Sequence, residues 1–261
     1  MAAFRLSTGV THRSAAFAYR GGSFRDARDF SMAALLVRHP RGDLLVDTGF
    51  GRDVDAQIRL MPWLFRAMTS YERTRSAAEQ LDLAGYDRSR LRAIVLTHAH
   101  WDHVSGIAEF PDVPVWVTTE EREFIRSGGA ITAVARSLDD VRFEEYGFEG
   151  GPYLGFPRSH DVYGDGAVVI VPAPGHTPGS VIVFLVLGDG RRFALVGDLV
   201  WQREGITLRE ERPFVLRSLA DRDPGRVREN LLRMSAIAAR FPELHVVPAH
   251  DARAFAELPT L

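Results

Sequence analysis

Short apolar runs, each closed by a turn-forming or polar residue, recur along this chain, and most are too short to make a helix. Residues 31–37 and 43–46 read as two strands around a turn at Pro40-Arg41-Gly42, and Asp47-Thr48-Gly49 closes the second with a polar bend. Residues 73–83 place Ala77, Leu81 and Ala84 on one stripe and stop at Gly85, which predicts a helix. Residues 92–96 carry Ile94, Val95 and Leu96 in succession, the pattern of a buried strand, and deliver the chain to Thr97. A helix or turn over 104–110 follows, then a strand over 113–117. A helix through 121–125 comes next, capped by Thr118 or Thr119 and stopped by Gly128 and Gly129.

The second half repeats the theme. A strand over 168–171 ends at Pro172-Ala173-Pro174-Gly175-His176. Strands over 181–187 and 193–196 flank Gly188-Asp189-Gly190 and end at Gly197-Asp198. After Pro224, residues 227–239 form an amphipathic helix, and a last strand over 244–247 runs into Pro248-Ala249-His250-Asp251. Between the halves, residues 130–165 show no clear period, with Phe143, Tyr146, Phe148, Tyr153, Phe156 and Tyr163 among glycines and acids. That segment reads either as a lid or substrate loop or as an irregular β excursion packed on the body. Two groups of strands with helices outside predict stacked sheets flanked by helices. No linker rich in Pro, Gly or Ser separates the halves, so residues 1–261 are expected to form one domain.

Composition narrows the chemistry. At 261 residues, 46% hydrophobic and 25% charged, the chain is of ordinary globular type, with a net charge of -2 and no basic stripe to suggest nucleic acid. Cys is absent, which excludes disulfides, iron–sulfur clusters and Cys-ligated zinc. Neither a leader-like start nor an apolar run long enough to span a membrane is evident, so a cytoplasmic location is expected.

His98-Ala99-His100-Trp101-Asp102-His103 packs three imidazoles and a carboxylate into six residues, and His176, Asp198 and His250 each follow an apolar run. His98 and His100, two apart, project to one side of an extended segment, whereas Asp102 and His103 follow a bend and can serve a second ion. With His176, the first pair makes a three-histidine site. Asp102, His103 and His250 make the second, and Asp198 is suited to bridge both. Two divalent ions would share a hydroxide able to attack an electrophilic carbon or phosphorus. Asp102 is also the candidate catalytic residue, taking a proton from that water and passing it to the leaving group. His12, His39 and His160 read as ordinary structural or surface histidines. Zinc is the default for such ligands, with iron, manganese and cobalt as alternatives.

The run Thr97-His98-Ala99-His100-Trp101-Asp102-His103 resembles the Thr-His-x-His-x-Asp-His motif of the metallo-β-lactamase superfamily. Pro174-Gly175-His176-Thr177-Pro178-Gly179, Gly197-Asp198 and His250 look like its later ligand motifs, and Asp47-Thr48-Gly49 resembles its supporting Asp-x-Gly element. The resemblance covers residues 31–251 and implies an α/β fold, a four-layer αββα sandwich with the site at one edge of two mixed sheets.

Within that superfamily, Asp102 and Asp198 favour bridged two-metal centres: lactonases, phosphotriesterases and thioesterases. The modest charge disfavours nucleases. The short stretch after His250 leaves little room for a flavodoxin-like extension or for the helical region with which glyoxalase II binds glutathione. The early hairpin, the Asp47 turn and a helix ending at Gly85-Tyr86 most resemble N-acyl-homoserine lactonases. In those enzymes a tyrosine shortly after the bridging aspartate can contact the substrate carbonyl, but here that place holds Trp201. The expected activity is therefore opening of an ester, lactone or related acyl bond. Phosphotriesterase, glyoxalase II-like thioesterase and β-lactamase-like hydrolysis are alternatives, as are a mono-iron sulfur dioxygenase and a non-catalytic scaffold. Trp63, Phe65, Trp101 and Trp201 are candidates for an apolar pocket around a small-molecule substrate. Trp63 and Phe65 read equally as a homodimer contact. Asp47, with Thr177 and Asp251 as weaker candidates, is expected to orient the ligating imidazoles.

Overall fold

The structure is a computed structural model and describes residues 1–138 and 141–261. Its strands form two mixed sheets flanked by helices, the αββα arrangement. The seven-stranded sheet contains β1 (Ala2–Ser14), β2 (Ala27–Arg38), β3 (Asp43–Val46), β4 (Glu72–Arg73), β5 (Leu91–Val95), β6 (Val115–Thr118) and β7 (Phe143–Tyr146). Their spatial order is β4-β1-β2-β3-β5-β6-β7. The five-stranded sheet contains β8 (His160–Asp161), β9 (Val168–Pro172), β10 (Val181–Val186), β11 (Arg192–Gly197) and β12 (Leu244–Pro248), ordered β12-β11-β10-β9-β8.

By contacts the chain divides into two compact units. One comprises Ala2–Thr11, Ser31–Tyr146 and Leu258–Leu261. In it, β3, β5, β6 and β7 run parallel, with Val46 opposite Val95, Val95 opposite Trp116, and Thr118 opposite Tyr146. Such strands are buried on both faces, which is why Leu44, Leu45, Val46, Ala93, Ile94 and Val95 form continuous apolar runs. Their carboxyl ends lie along one edge, and that edge carries Asp47, Thr97 and Thr118. The other unit comprises Met1, His12–Phe30 and Gly147–Glu257. Its core joins β9–β12 to the Pro224–Arg240 helix through Val171, Phe184, Val196, Leu231 and Met234. Pro224 opens that helix and Asp223 caps it, its side chain accepting the N–H of Arg226.

Three differences from the sequence reading have physical causes. The helix expected over 73–83 begins at Ala77, because Ser76 and Glu79 form a capping box there and Glu72–Arg73 pair with β1 instead. The strand β1 was not foreseen, since its buried positions include Thr8 and Thr11 beside Ala3 and Leu6 and so break any apolar alternation. The segment 130–165 contributes β7, β8 and the Ala133–Arg136 helix, and buries Val134, Ala135 and Phe156. Asp139 and Asp140 lie outside the described residues.

Candidate metal centre

In the first unit, β5 feeds Leu96 and Thr97 into the histidine run, and a helical turn over Trp101–Val104 redirects the chain after His100. His98, His100 and His103 are buried and Asp102 is half-buried. Asp47 holds this turn from the neighbouring strand. Its Oδ1 accepts the Thr97 backbone N–H at 2.7 Å, and its Oδ2 accepts the Thr97 hydroxyl at 2.7 Å and faces His103 Nδ1 at 2.8 Å. A carboxylate on Nδ1 fixes the tautomer and leaves Nε2 with its lone pair for a metal. Asp47 adopts a left-handed backbone with φ 53°, uncommon outside glycine. Gly49, at φ 61°, has no room for a side chain, since an added Cβ would sit 2.1 Å from Thr8 Oγ1. Thr48 completes the brace by donating both its N–H and its hydroxyl to the His103 carbonyl, at 2.9 and 2.8 Å.

Glu121 is a support that sequence reasoning missed. It is buried, and its Oε1 accepts the Ala99 N–H at 2.6 Å, gripping the peptide between His98 and His100. Thr118-x-x-Glu121 has capping-box spacing, and the Thr118 side chain does accept the Glu121 N–H at 3.2 Å, but Glu121's own carboxylate serves the histidine turn. His98 Nε2 and His100 Nδ1 stand 3.1 Å apart. Burial, with the charges of Glu121 and Asp47 nearby, pushes the Tyr146 hydroxyl well above the usual phenol range, so it stays a neutral O–H.

The second unit supplies the dispersed ligands. β11 and β12 are parallel with Gly197 opposite Pro248, which brings Asp198 and His250 out side by side. His250 Nε2 lies 3.1 Å from Asp198 Oδ1, and His176 Nε2 lies 3.4 Å from Asp198 Oδ2. His176 is oriented by Asp221, whose Oδ1 is 2.9 Å from its Nδ1. Asp221 in turn pairs at 3.2 Å with Arg212, a guanidinium with 1% of its side chain exposed. Arg212 also donates to the Asp198 backbone carbonyl and stands 4.7 Å from the Trp201 ring centroid. Trp201 Nε1 donates to Asp198 Oδ2 at 2.9 Å. Asp221 and Arg212 were not anticipated, because nothing local in the sequence ties them to His176.

The remaining candidates have plain positions. Thr177 is buried and its hydroxyl shares a hydrogen bond with Ser180 at 2.7 Å. Asp251 caps the Ala252–Phe255 helix and accepts the Arg203 N–H at 2.9 Å. Trp101, 7% exposed, packs among Phe50, Phe65 and Tyr71 with ring centroids 5.1 to 5.8 Å away. Burial and a hydrogen bond to Asp55 push the Tyr71 hydroxyl up to about 12. Trp63 is 72% exposed, and Trp201 is half-buried beside Phe30.

These residues fit metal ions. Asp221 on Nδ1 of His176 directs that ring's Nε2 lone pair at a carboxylate oxygen, an arrangement that a shared cation makes favourable. The His and Asp side chains fall into groups suited to holding a metal, and the set is large enough for two ions.

Residues 28–250 match the metallo-beta-lactamase superfamily model, and the chain belongs to that superfamily. It is similar to a probable metallo-hydrolase of Mycobacterium tuberculosis (strain ATCC 25618 / H37Rv), 35% identical over 239 residues, covering 83% of this chain and 73% of that protein. It is also similar to the N-acyl homoserine lactonase AttM of Rhizobium radiobacter, 25% identical over 181 residues and 64% of each chain. Among solved structures, an N-acyl homoserine lactone hydrolase with N-hexanoyl-L-homoserine at its catalytic metal centre superposes with a TM-score of 0.76, at 17% identity, covering 100% of this chain and 98% of that one. The fold and the donor set are those of a metal-dependent hydrolase with a binuclear His and Asp cluster. No helix among the described residues is long and apolar enough to cross a membrane.

Proposed function

We propose that the chain is a binuclear zinc hydrolase that opens a lactone or related ester carrying an apolar substituent. The observation that carries this reading is Asp198, whose carboxylate lies between two imidazoles, its Oδ2 3.4 Å from His176 Nε2 and its two oxygens 3.1 and 3.3 Å from His250 Nε2, as a carboxylate shared by two ions would. In this reading His98, His100 and His176 hold one ion, Asp102, His103 and His250 hold the other, and Asp198 serves both. Bound there, two divalent ions supply a nucleophilic water at neutral pH and polarise the acyl carbonyl. Asp102, only half-buried, accepts the proton of that water and returns it to the leaving alkoxide. Asp47, Asp221 and Glu121 keep the imidazoles fixed throughout. Trp101, Phe65 and Trp63, all of the first unit, are the proposed contacts for the substituent, and the net charge of -2 fits a small neutral substrate better than a nucleic acid.

The similarity to AttM supports a lactone substrate over a phosphotriester or thioester. The test is metal content of protein purified without added metal, beside a panel of lactone, thioester, phosphotriester and β-lactam. Two zinc ions per chain with lactone turnover, lost in Asp198→Asn, is the expected result. One iron per chain and no hydrolysis would overturn it.

A further inference from the structure

We propose that Trp201 is a positioning residue whose indole N–H holds Asp198 in the pose that serves two ions. The inference rests on the binuclear reading above and concerns how this chain keeps the second ion. A carboxylate serves two ions only in a restricted orientation, and rotation about its last bond would carry its oxygens away from one of them. His176 Nε2 lies 3.4 Å from Oδ2, and three further groups of the same unit bear on that rotation. Trp201 Nε1 donates to Oδ2 at 2.9 Å, whereas His250 Nε2 stands 3.1 Å from Oδ1 and 3.3 Å from Oδ2. Arg212 binds the backbone carbonyl of Asp198 and fixes the main chain beneath it.

Of these, the indole alone marks one carboxylate oxygen from outside the ligand set. An indole N–H is donor only, so toward a carboxylate it can act only as a hydrogen-bond donor. Its ring is itself immobilised. It packs against Ala15, Ala18, Tyr19 and Phe30, and the Arg212 guanidinium lies over it at 4.7 Å. A cation over the ring draws electron density from the indole and strengthens the N–H as a donor. Arg212 therefore acts twice on Asp198, once through the main chain and once through Trp201. The two contacts are coupled because the same guanidinium also pairs with Asp221, the partner of His176.

The consequence is an asymmetry in metal retention. Without the indole N–H, the Asp198 carboxylate is less restrained in rotation and turns from one ion toward the other, which loosens the first. Loss of such an outer hydrogen bond costs about 10–100-fold in metal affinity, and here the cost falls on one ion of the two. The experiment replaces Trp201 in two ways, Trp201→Phe and Trp201→benzothienylalanine, the second keeping the bicyclic shape but having sulfur where the N–H was. Zinc-loaded wild type and both variants are titrated with a chromophoric chelator, and the cobalt(II) forms are followed by their visible spectra. Wild type is expected to release two ions over a narrow range of chelator. Both variants should release one ion at about 10–100-fold lower chelator activity and the other as in wild type, with the cobalt spectrum changing for one site only. If the benzothienyl protein releases its ions as wild type does, Trp201 acts by packing alone and the inference fails while the binuclear reading stands. If wild type itself binds fewer than two ions, both are overturned.

Discussion

The two units present their ligands by different means. In the first, His98, His100, Asp102 and His103 come from one continuous run, and the fold has only to clamp a single turn. Asp47, Thr48 and Glu121 do so through hydrogen bonds to backbone atoms as well as to one imidazole. In the second, His176, Asp198 and His250 lie on separate loops, and their support runs through side chains: Asp221, the buried Arg212 and Trp201. A local run can be braced by backbone geometry. Dispersed ligands need a charge network, and a buried charge network is the more fragile device, since removing one member strands another.

The broadest break in the comparison is metal removal. Exhaustive treatment with chelator should abolish turnover, and added zinc should restore it; the check is activity read beside metal content. Next is Arg212→Met, which leaves Asp221 buried against His176 without its guanidinium partner. It should destabilise the protein by about 3–5 kcal/mol in denaturant titration, an effect with no counterpart in the first unit because Asp47 is held by neutral donors. Asp47→Asn and Asp221→Asn should each cost about 10–100-fold in metal affinity. Only Asp221→Asn should lose stability by an amount that depends on Arg212, which a double-mutant cycle reads directly.

The smallest effect lies away from the ligands, in the cap of the Ala77–Leu83 helix. Ser76→Ala should lower stability by about 1 kcal/mol with metal content unchanged. The Ser76 backbone N–H, aided by Arg52 and Arg73, holds the Glu79 carboxyl below the usual carboxylate range. Its contribution is therefore fully present above the ordinary glutamate pKa and is lost as pH falls through the lowered value. The stability gap between wild type and Glu79→Gln should close on acidification, which thermal melts from neutral to acid pH will show.

The same contrast explains what was legible beforehand. The histidine run could be read directly, because its ligands are neighbours in sequence and its strand is an unbroken apolar stretch. The strands β3, β5, β9, β10, β11 and β12 were legible for the second reason. His176, Asp198 and His250 were readable as ends of strands, but Asp221 and Arg212 were not. They lie 45 and 36 residues beyond His176, in a stretch whose pattern marks no strand end. Glu121 was visible as a helix residue and not as a support, since only the fold shows that its carboxylate reaches Ala99. Trp201 was expected to face a substrate pocket. Its indole N–H engages Asp198, a contact that no spacing rule would reveal.

One hydrogen bond described above also has a kinetic meaning. The Thr97 amide is held by a side chain 50 residues earlier, at the edge where β3 and β5 meet. Exchange of that amide with deuterium therefore requires the β3–β5 edge to part, so it should rank among the slowest in the chain. The same opening releases Asp47 from His103 and dismantles the histidine turn. Thr97 is in effect a clock on the ligand turn: its exchange rate sets how often the first unit loses its grip on metal, and bound metal should slow it in proportion.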